Sequence, residues 1–343
     1  MTDRILRWGL LSTAQINRAL IPPLRASEHH QLFAVASRSM EQAESYAREW
    51  NIPRAHGTYE SLLEDPEVEV IYNPLPNHLH AEWTIKALRA GKHVLCEKPL
   101  VLTLQEVDDI ARVAKETGNV VAEAFMYRHH PQTLKVKEIV DGGVLGDLQI
   151  IRGLLTSTFG LKDNYRMKKE MGGGSLWDVG CYPVSYTRFL LGERPREVFG
   201  WQVEGAALGG EAVSKGQTAI DETFMGQMRF RNGVLAQFVC GFTSPFRTSM
   251  EIIGSKGTLT VPVPFHPGLF VPEASEKIYL QVSDEKETIE IPYSALYNGE
   301  VEDMAEAVLD HKKPRMSLDE SRDNIAAILG LFESARVGKP VSL

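Results

Sequence analysis

The sequence predicts an α/β plus α+β protein: a doubly wound parallel sheet over residues 1–125, then an α+β part with a large open antiparallel sheet over residues 126–343. Three observations carry this reading. Up to about residue 125, short apolar runs alternate with helix-period segments, as in strand–helix–strand crossovers. From Arg196 to Ile291, strand-like segments follow one another, parted by turns such as Arg231-Asn232-Gly233 and Ser255-Lys256-Gly257. A chain of 343 residues is also long for a single core.

Composition narrows the function. The 43% hydrophobic and 24% charged content is that of an ordinary globular protein. A net charge of −8 argues against sequence-independent nucleic-acid binding. Cys96, Cys181 and Cys240 are widely spaced and odd in number, with neither zinc spacing nor a disulfide framework. No run approaches the roughly 18 apolar residues of a membrane span, and residues 1–11 lack the features of a signal peptide. A cytoplasmic, reducing location is expected.

In order, Ile5–Leu11 reads as a buried strand and Ala14–Arg25 as a helix that Pro22-Pro23 must kink or shorten. Leu32–Ser37 is a second strand and Met40–Trp50 a second helix. The intervening turn, Ser12-Thr13-Ala14-Gln15-Ile16-Asn17, carries Ser12, Ala14 and Asn17 where a dinucleotide fingerprint has glycine or alanine. The glycine motif fails, yet Ser12 and Thr13 can donate to a pyrophosphate at the helix N-terminus; an ordinary capped helix start is the alternative. The second strand ends Ala36-Ser37-Arg38-Ser39, with no acid to repel a 2′-phosphate. Arg38 can pair with that phosphate and Ser37 and Ser39 can hydrogen-bond it, which favours NADP(H) over NAD(H).

Val68–Asn73 is a further strand, stopped by Pro74 and Pro76. Asn77 is a suitable N-cap for a helix to Ala90. Neither His78/His80 nor His129/His130 has a third ligand at metal spacing, and the second pair suits capping and packing. Val94–Cys96 is a buried strand that ends in Glu97-Lys98-Pro99-Leu100. In an open α/β sheet this end faces the ligand crevice, though by itself it also fits a surface strand with a solvated Glu–Lys pair. A helix over Leu104–Thr117 and a strand over Val120–Ala124 complete the first part.

In the second part, Asp147–Phe159 reads as a long strand. Gly172-Gly173-Gly174 leads into a helix-period segment, Ser175–Leu191. Asp178 and Tyr182, four apart, share one face of it; a structural pair satisfied by backbone is the alternative to a functional one. Arg166 precedes the glycines as either a ligand-binding or a solvated arginine, and Trp177 suits the core. Strands follow at Val198–Glu204, Thr218–Phe230, Val234–Phe242, Thr248–Ile253, Thr258–Val263, Ile278–Val282 and Thr288–Ile291, with a loop at Gly205–Gly216. One face of this sheet covers the Gly172–Leu191 segment and the other is free to meet another subunit. Helices over Glu300–Asp310 and Leu318–Val337 close the chain.

Glu97-Lys98-Pro99-Leu100 after a Gly-Lys-His-Val strand, together with Gly172-Gly173-Gly174-x-x-x-Asp178-x-Gly180-x-Tyr182-Pro183 and Pro74-x-Pro76-Asn77-x-x-His80, resembles the Gfo/Idh/MocA oxidoreductase family. The resemblance spans nearly the whole chain. It implies a Rossmann domain that binds a nicotinamide dinucleotide through Ser12, Thr13, Ala14, Gln15, Ile16, Ser37, Arg38, Pro74, Leu75, Asn77, His80, Glu97, Lys98 and Arg166. It implies Lys98, Asp178 and Tyr182 as catalytic residues, a Lys98–Pro99 bond that is often cis, and no metal. Tyr182, where many members carry histidine, is similar to the dihydrodiol and D-xylose dehydrogenase-like branch.

The implied reaction moves a hydride between nicotinamide and a carbinol carbon of a sugar or polyol such as D-xylose or D-glucose. Tyr182 is the candidate acid/base, its phenol acidified by the Lys98 ammonium. Asp178 orients the substrate. The rival assignment makes Lys98 the proton relay. Other readings are a trans-dihydrodiol dehydrogenase, a sugar-nucleotide ketoreductase, a glycoside hydrolase acting through transient oxidation, and a dinucleotide-sensing protein without catalysis. The expected partners are a small-molecule substrate and a second copy, as a homodimer or homotetramer, with neither nucleic acid nor membrane.

Overall fold

The central strands of the first sheet are short and mostly apolar on both faces, as strands flanked by helices require. The computed structural model describes residues 4–158, 164–205, 219–268 and 274–343. In chain order the elements are β1 (Leu6–Leu10), α1 (Asn17–Ala26), β2 (His30–Ala36), α2 (Met40–Glu49), β3 (Arg54–His56), α3 (Tyr59–Leu63), β4 (Val70–Asn73), α4 (His80–Arg89), β5 (His93–Glu97), α5 (Leu104–Thr117) and β6 (Val121–Ala124). The six strands pair in parallel in the order β3-β2-β1-β4-β5-β6. Strand order reverses between β1 and β4, so their carboxyl ends open the ligand crevice of a doubly wound sheet.

Local chemistry sets the ends of these elements. Thr103 and Glu106 form a reciprocal capping box on α5, and Gly118, at φ 71°, ends it in the left-handed region. The α1 helix starts later than the sequence suggests and is not shortened by Pro22 and Pro23. It runs on to Ala26, with Leu20, Ile21, Pro23 and Leu24 buried and Ser27 N donating to Pro23 O at 3.2 Å. Burial of this apolar face offsets the two missing N–H donors. Neither β3 nor α3 is anticipated from the sequence, because three- and five-residue elements carry no readable period.

The second sheet follows α6 (Pro131–Asp141), whose N-cap is the His130 ring, accepting from Gln132 N at 3.1 Å. Then come β7 (Leu148–Thr156), α7 (Cys181–Leu191), β8 (Glu197–Gly205), β9 (Ile220–Arg229), β10 (Leu235–Gly241), β11 (Arg247–Gly254), β12 (Gly257–Val261), β13 (Glu276–Val282) and β14 (Glu285–Ile291). The chain ends in α8 (Asn298–Leu309), α9 (Leu318–Val337) and β15 (Val341–Ser342). The nine strands run β14-β13-β12-β11-β7-β10-β9-β8-β15. They are antiparallel except for β10 and β7, which pair in parallel, so the sheet is mixed rather than wholly antiparallel. Residue 218 of the expected strand Thr218–Phe230, Phe159 and residues 206–216 of the expected loop lie outside the described residues.

One face of this sheet is covered, as expected, by the segment after the glycine run. A Cβ on Gly153 would lie 2.8 Å from Pro183 Cβ, and one on Gly180 would lie 2.8 Å from Cys240 Sγ, so the helix rides close on β7 and β10. The opposite face leaves Ile150, Trp201, Val203, Met225 and Leu235 exposed.

The chain forms two compact units, Met1–His129 with Tyr297–Arg322, and His130–Leu296 with Asp323–Leu343. The sequence-based division at 125/126 differs because α8 returns to the first unit. There it packs on α1 and on the 3-10 turn Met126–His129, and a Cβ on Gly299 would meet His129 Cβ at 2.7 Å. No helix among the described residues is long and apolar enough to cross a membrane.

Two buried histidines of the first unit make its stability depend on pH. Burial, reinforced by Arg315 and Arg128, lowers the pKa of His129 to about 3. Burial lowers that of His30 to about 4 against the opposing pull of Glu302. Between those values and 6.5 the unfolded chain binds protons that the folded chain refuses, so stability rises with pH in that window and is lost as pH falls below 6.5. Unfolding free energies from urea titrations should therefore drop on acidification from pH 7 to pH 4, by at most about 1.4 kcal/mol per pH unit for each histidine. His129→Leu should flatten this slope; an unchanged slope counts against His129.

Candidate active site

Ser12, Thr13, Ala14, Gln15 and Ile16 follow β1, Ser37 and Arg38 follow β2, Pro74, Leu75 and Asn77 follow β4, and Glu97 and Lys98 end β5. The fold thus gathers all of them along one edge of the parallel sheet. The turn after β1 is closed without fingerprint glycines: Asn17, fully buried, donates from Nδ2 to Ser12 O at 2.7 Å. The buried Ser12 Oγ finds no hydrogen-bond partner among the described residues. An orphaned hydroxyl at a strand-to-helix turn beside the switch point is what a dinucleotide phosphate would satisfy, so the residues present fit that group. Arg38 is exposed, and no carboxylate accompanies it at the end of β2. Ser39 caps α2 by accepting from Gln42 N at 3.4 Å, and Ser37 Oγ donates to Gln42 Oε1 at 3.1 Å.

Two expectations change here. Asn77 is not the N-cap of α4; it opens a 3-10 turn, Asn77–Leu79, and α4 starts at His80. His80 is fully buried, with Nδ1 2.8 Å from Pro99 O and Nε2 2.6 Å from Leu75 O. Its ring therefore holds backbone and is not placed to touch a coenzyme itself.

The stretch from Glu97 to Leu100 is held at nearly every polar group. The Lys98–Pro99 peptide is cis. Glu97 Oε1 accepts from Tyr72 Oη at 2.6 Å, and Glu97 Oε2 accepts from Lys98 N at 3.2 Å. Burial, then Glu97, pushes the Tyr72 phenol well up, so it stays a donor. Leu100 N donates to Glu123 Oε1 at 2.8 Å, and the Cys96 thiol lies 3.9 Å from Leu100 O. From α8, burial and then Glu97 push the Glu300 carboxyl well above its usual range. The lysine just before β5 is structural: Lys92 Nζ is buried and donates to Asp65 O at 2.6 Å and Val68 O at 2.7 Å.

In the second unit the glycine run admits a close backbone approach. Gly174, at φ 115°, donates from N to Arg166 O at 2.9 Å, and Gly173 N donates to Lys168 O at 2.9 Å. A Cβ on Gly173 would meet Arg166 O at 2.5 Å, and one on Gly174 would meet Asp221 Oδ1 at 2.0 Å. Asp221 Oδ2 in turn accepts from Ser175 Oγ at 2.9 Å and Leu176 N at 2.6 Å, and burial pushes its carboxyl up to about 7. The segment Leu176–Gly180 is a π-helical turn ahead of α7, where the sequence suggests one uninterrupted helix. Such turns often occur at functional positions.

This packing brings Arg166 and Asp178 together, with Nε 2.9 Å from Oδ1. Burial opposes the guanidinium charge, yet Asp178, with Tyr165 and Tyr182 nearby, holds its pKa above the ordinary value. Arg166 is thus an ion-paired residue stacked on the Tyr165 ring, with 4.8 Å from Cζ to the ring centroid, rather than a solvated one. Tyr182 is 4% exposed and packs on Phe265 and His266. Trp177 packs in the core against Phe332.

The sequence reading misses Tyr72, Glu123, Asp221 and His266. Glu123 left a signal, a lone carboxylate in an otherwise apolar strand. Tyr72, Asp221 and His266 are brought to their places, each within its own unit, only by tertiary packing. Among the described residues no cluster of three or more His, Cys, Asp or Glu is arranged for a metal.

Two family models match the chain. Residues 6–125 match an oxidoreductase family with an NAD-binding Rossmann fold, and residues 133–260 match the GFO/IDH/MocA C-terminal domain. The chain is similar to D-xylose 1-dehydrogenase (NADP(+)) 2 of Haloferax volcanii, at 33% identity over 98% of this chain and 100% of that protein. It is similar to trans-1,2-dihydrobenzene-1,2-diol dehydrogenase of Danio rerio, at 31% identity over 75% of this chain and 74% of that one. Among solved structures it resembles KijD10, a 3-ketoreductase from Actinomadura kijaniata in complex with NADP and TDP-benzene. The TM-score is 0.87 at 28% identity, covering 96% of this chain and 98% of that one.

Removing one partner of the Arg166–Asp178 pair strands a largely buried charge. Arg166→Gln should therefore destabilise the protein by about 1–3 kcal/mol. Arg166→Gln with Asp178→Asn should recover part of that loss. Thermal melts of the two single variants and the double variant check this; strictly additive losses would show that the pair is not coupled.

Proposed function

The chain belongs to the Gfo/Idh/MocA family of oxidoreductases, and from that membership we propose that it is an NADP-dependent dehydrogenase or reductase of a sugar or polyol. The observation that carries the reading is Lys98, borne on a clamped segment at the carboxyl end of β5. Arg38 without an acidic neighbour supports NADP(H), as does the resemblance to an NADP(+)-dependent xylose dehydrogenase.

When bound, the nicotinamide supplies the hydride acceptor or donor. Ser12 and the turn through Ile16 would hold the pyrophosphate, Arg38 the 2′-phosphate, and Pro74, Leu75, Asn77, Glu97 and Lys98 the nicotinamide half. Arg166 serves through Asp178. The Lys98 ammonium donates to the substrate hydroxyl oxygen and stabilises charge that develops there as the proton leaves. Tyr182 is the proposed acid/base for that proton, with Lys98 as the rival. Asp178, fixed by Arg166 on one oxygen, accepts from a neighbouring hydroxyl and sets the ring's orientation.

A second reading, a sugar-nucleotide ketoreductase, is favoured by the resemblance to KijD10 over almost the full chain. The three cysteines are buried and form no disulfide among the described residues, which fits a reducing, cytoplasmic setting. The exposed apolar face of the second sheet, centred on Trp201, Met225 and Leu235, suits a second copy of the chain.

The test is the near-ultraviolet absorbance of reduced coenzyme, with NADP⁺ and NAD⁺, across aldoses, polyols, trans-dihydrodiols and dTDP-sugar ketones. Turnover of an aldose or polyol with NADP⁺ is expected, with kcat/KM about tenfold or more above that with NAD⁺. Arg38→Asp should erase the difference. Lys98→Met should cost on the order of 10³-fold in kcat with coenzyme affinity kept; an active Lys98→Met variant ends the proposal. Tight coenzyme binding with no turnover of any substrate would indicate a sensor. Sedimentation should show a homo-oligomer that Trp201→Glu dissociates; a wild-type monomer at micromolar concentration would remove that interface.

A further inference from the structure

We propose that His80 is a positioning residue for Lys98: its buried imidazole fastens the Lys98–Pro99 backbone to the stiff turn after β4. The inference rests on the reading of Lys98 as the group that meets the substrate hydroxyl.

His80 has no accessible surface, and both ring nitrogens lie within hydrogen-bond reach of backbone carbonyls, Pro99 O at 2.8 Å and Leu75 O at 2.6 Å. A side chain so enclosed acts only through what it holds. One of those carbonyls belongs to the residue that follows the lysine. The other belongs to a turn made rigid in three ways. Pro74 and Pro76 flank Leu75 and fix their own φ angles. Leu75 N donates to Asn73 Oδ1 at 3.4 Å. Asn73 Nδ2 donates to His80 O and to Thr84 Oγ1, both at 3.2 Å, tying the turn to the first turns of α4.

Leu75 is therefore the anchor and Pro99 the load. Proline has no N–H, so between Lys98 and Leu100 the Pro99 carbonyl is the backbone group left to grip. The next donor, Leu100 N, is taken by Glu123 from β6. His80 and Glu123 thus hold consecutive residues from two different elements, α4 and β6, on either side of β5. The lysine Cα sits one residue from this double hold. Reacting groups lose about 10²-fold in rate for a displacement of about 1 Å, so a grip on the carrier backbone has catalytic consequences with no contact to substrate. A neutral imidazole donates to one of the two carbonyls, its other nitrogen only abutting the second, and an imidazolium donates to both; in the neutral ring the hold on Pro99 O is that of the Nδ1–H tautomer, with the ring kept in place by its burial and by the start of α4.

The test uses the full chain with His80→Leu, which removes the ring donors, and His80→Gln, which restores an amide N–H. His80→Leu should lower kcat about 30- to 100-fold, while coenzyme affinity, read by fluorescence titration, stays within about threefold. His80→Gln should recover a large part of that loss. A folded His80→Leu variant with wild-type kcat overturns the inference. So does a parallel loss of kcat and coenzyme affinity in both variants, which would assign His80 to the coenzyme turn. Should His80→Leu fail to fold, Glu123→Leu and Glu123→Gln decide, since glutamine keeps an oxygen for Leu100 N. Low kcat with retained coenzyme affinity in the leucine variant, rescued by glutamine, is expected; equal kcat in the two overturns the inference. Lys98→Met, measured alongside, separates the two failures. An active Lys98→Met variant removes the lysine reading itself. An inactive one beside fully active His80→Leu and Glu123→Leu variants removes only the positioning.

Discussion

The constraint on which the first unit turns is the satisfaction of backbone at the end of β5. A strand that stops at the lip of a crevice leaves peptide groups without ladder partners, and burying them unpaired costs roughly 1–3 kcal/mol each. Here those groups are matched by side chains from β4, β5, α4 and β6: Tyr72 through Glu97, Cys96, His80 and Glu123. A lysine carries four rotatable carbons, and its head can be aimed only if its root is still. The polar network around Pro99 provides that stillness, and the apolar strands around it provide the low dielectric in which such bonds are strong.

The second unit solves a related problem by different means. Its site residues come from a loop and a helix start, both poorly suited to precision. The glycines replace side-chain bulk with backbone contact, so that the chain at Arg166–Lys168 lies directly on Gly173 and Gly174. Asp221, from a neighbouring strand, then seats Ser175 and Leu176. The ion pair between Arg166 and Asp178 is the product of that seating. An exposed pair of this kind would be worth little; its partial burial is what gives it consequence.

Much of this was legible in the residues. The parallel strands announced themselves as apolar runs bounded by turn chemistry, and Glu97-Lys98-Pro99 stood out because charges and proline directly follow a buried strand. Arg38 was legible as a cation where a carboxylate would otherwise stand. What escaped did so for physical reasons. The π turn at Leu176–Gly180 shifts hydrogen bonds by one residue without altering the apolar pattern. Pro22 and Pro23 predict a kinked or shortened helix, but the buried face of α1 outweighs two missing donors. The parallel pairing of β10 with β7 depends on chain reversal over more than 80 residues, which periodicity does not encode.

The allegiance of α8 was equally hidden, since an apolar helix face does not say which sheet it will join. Its placement bears on how the molecule is made. The N-terminal unit leaves the ribosome first, yet the helix that covers Glu97's neighbourhood and buries Met304 and Ala305 is encoded by residues 298–309. A nascent chain must keep that face bare while strands β7–β14 of the second sheet are synthesised. The first unit is therefore completed only after most of the second has been made.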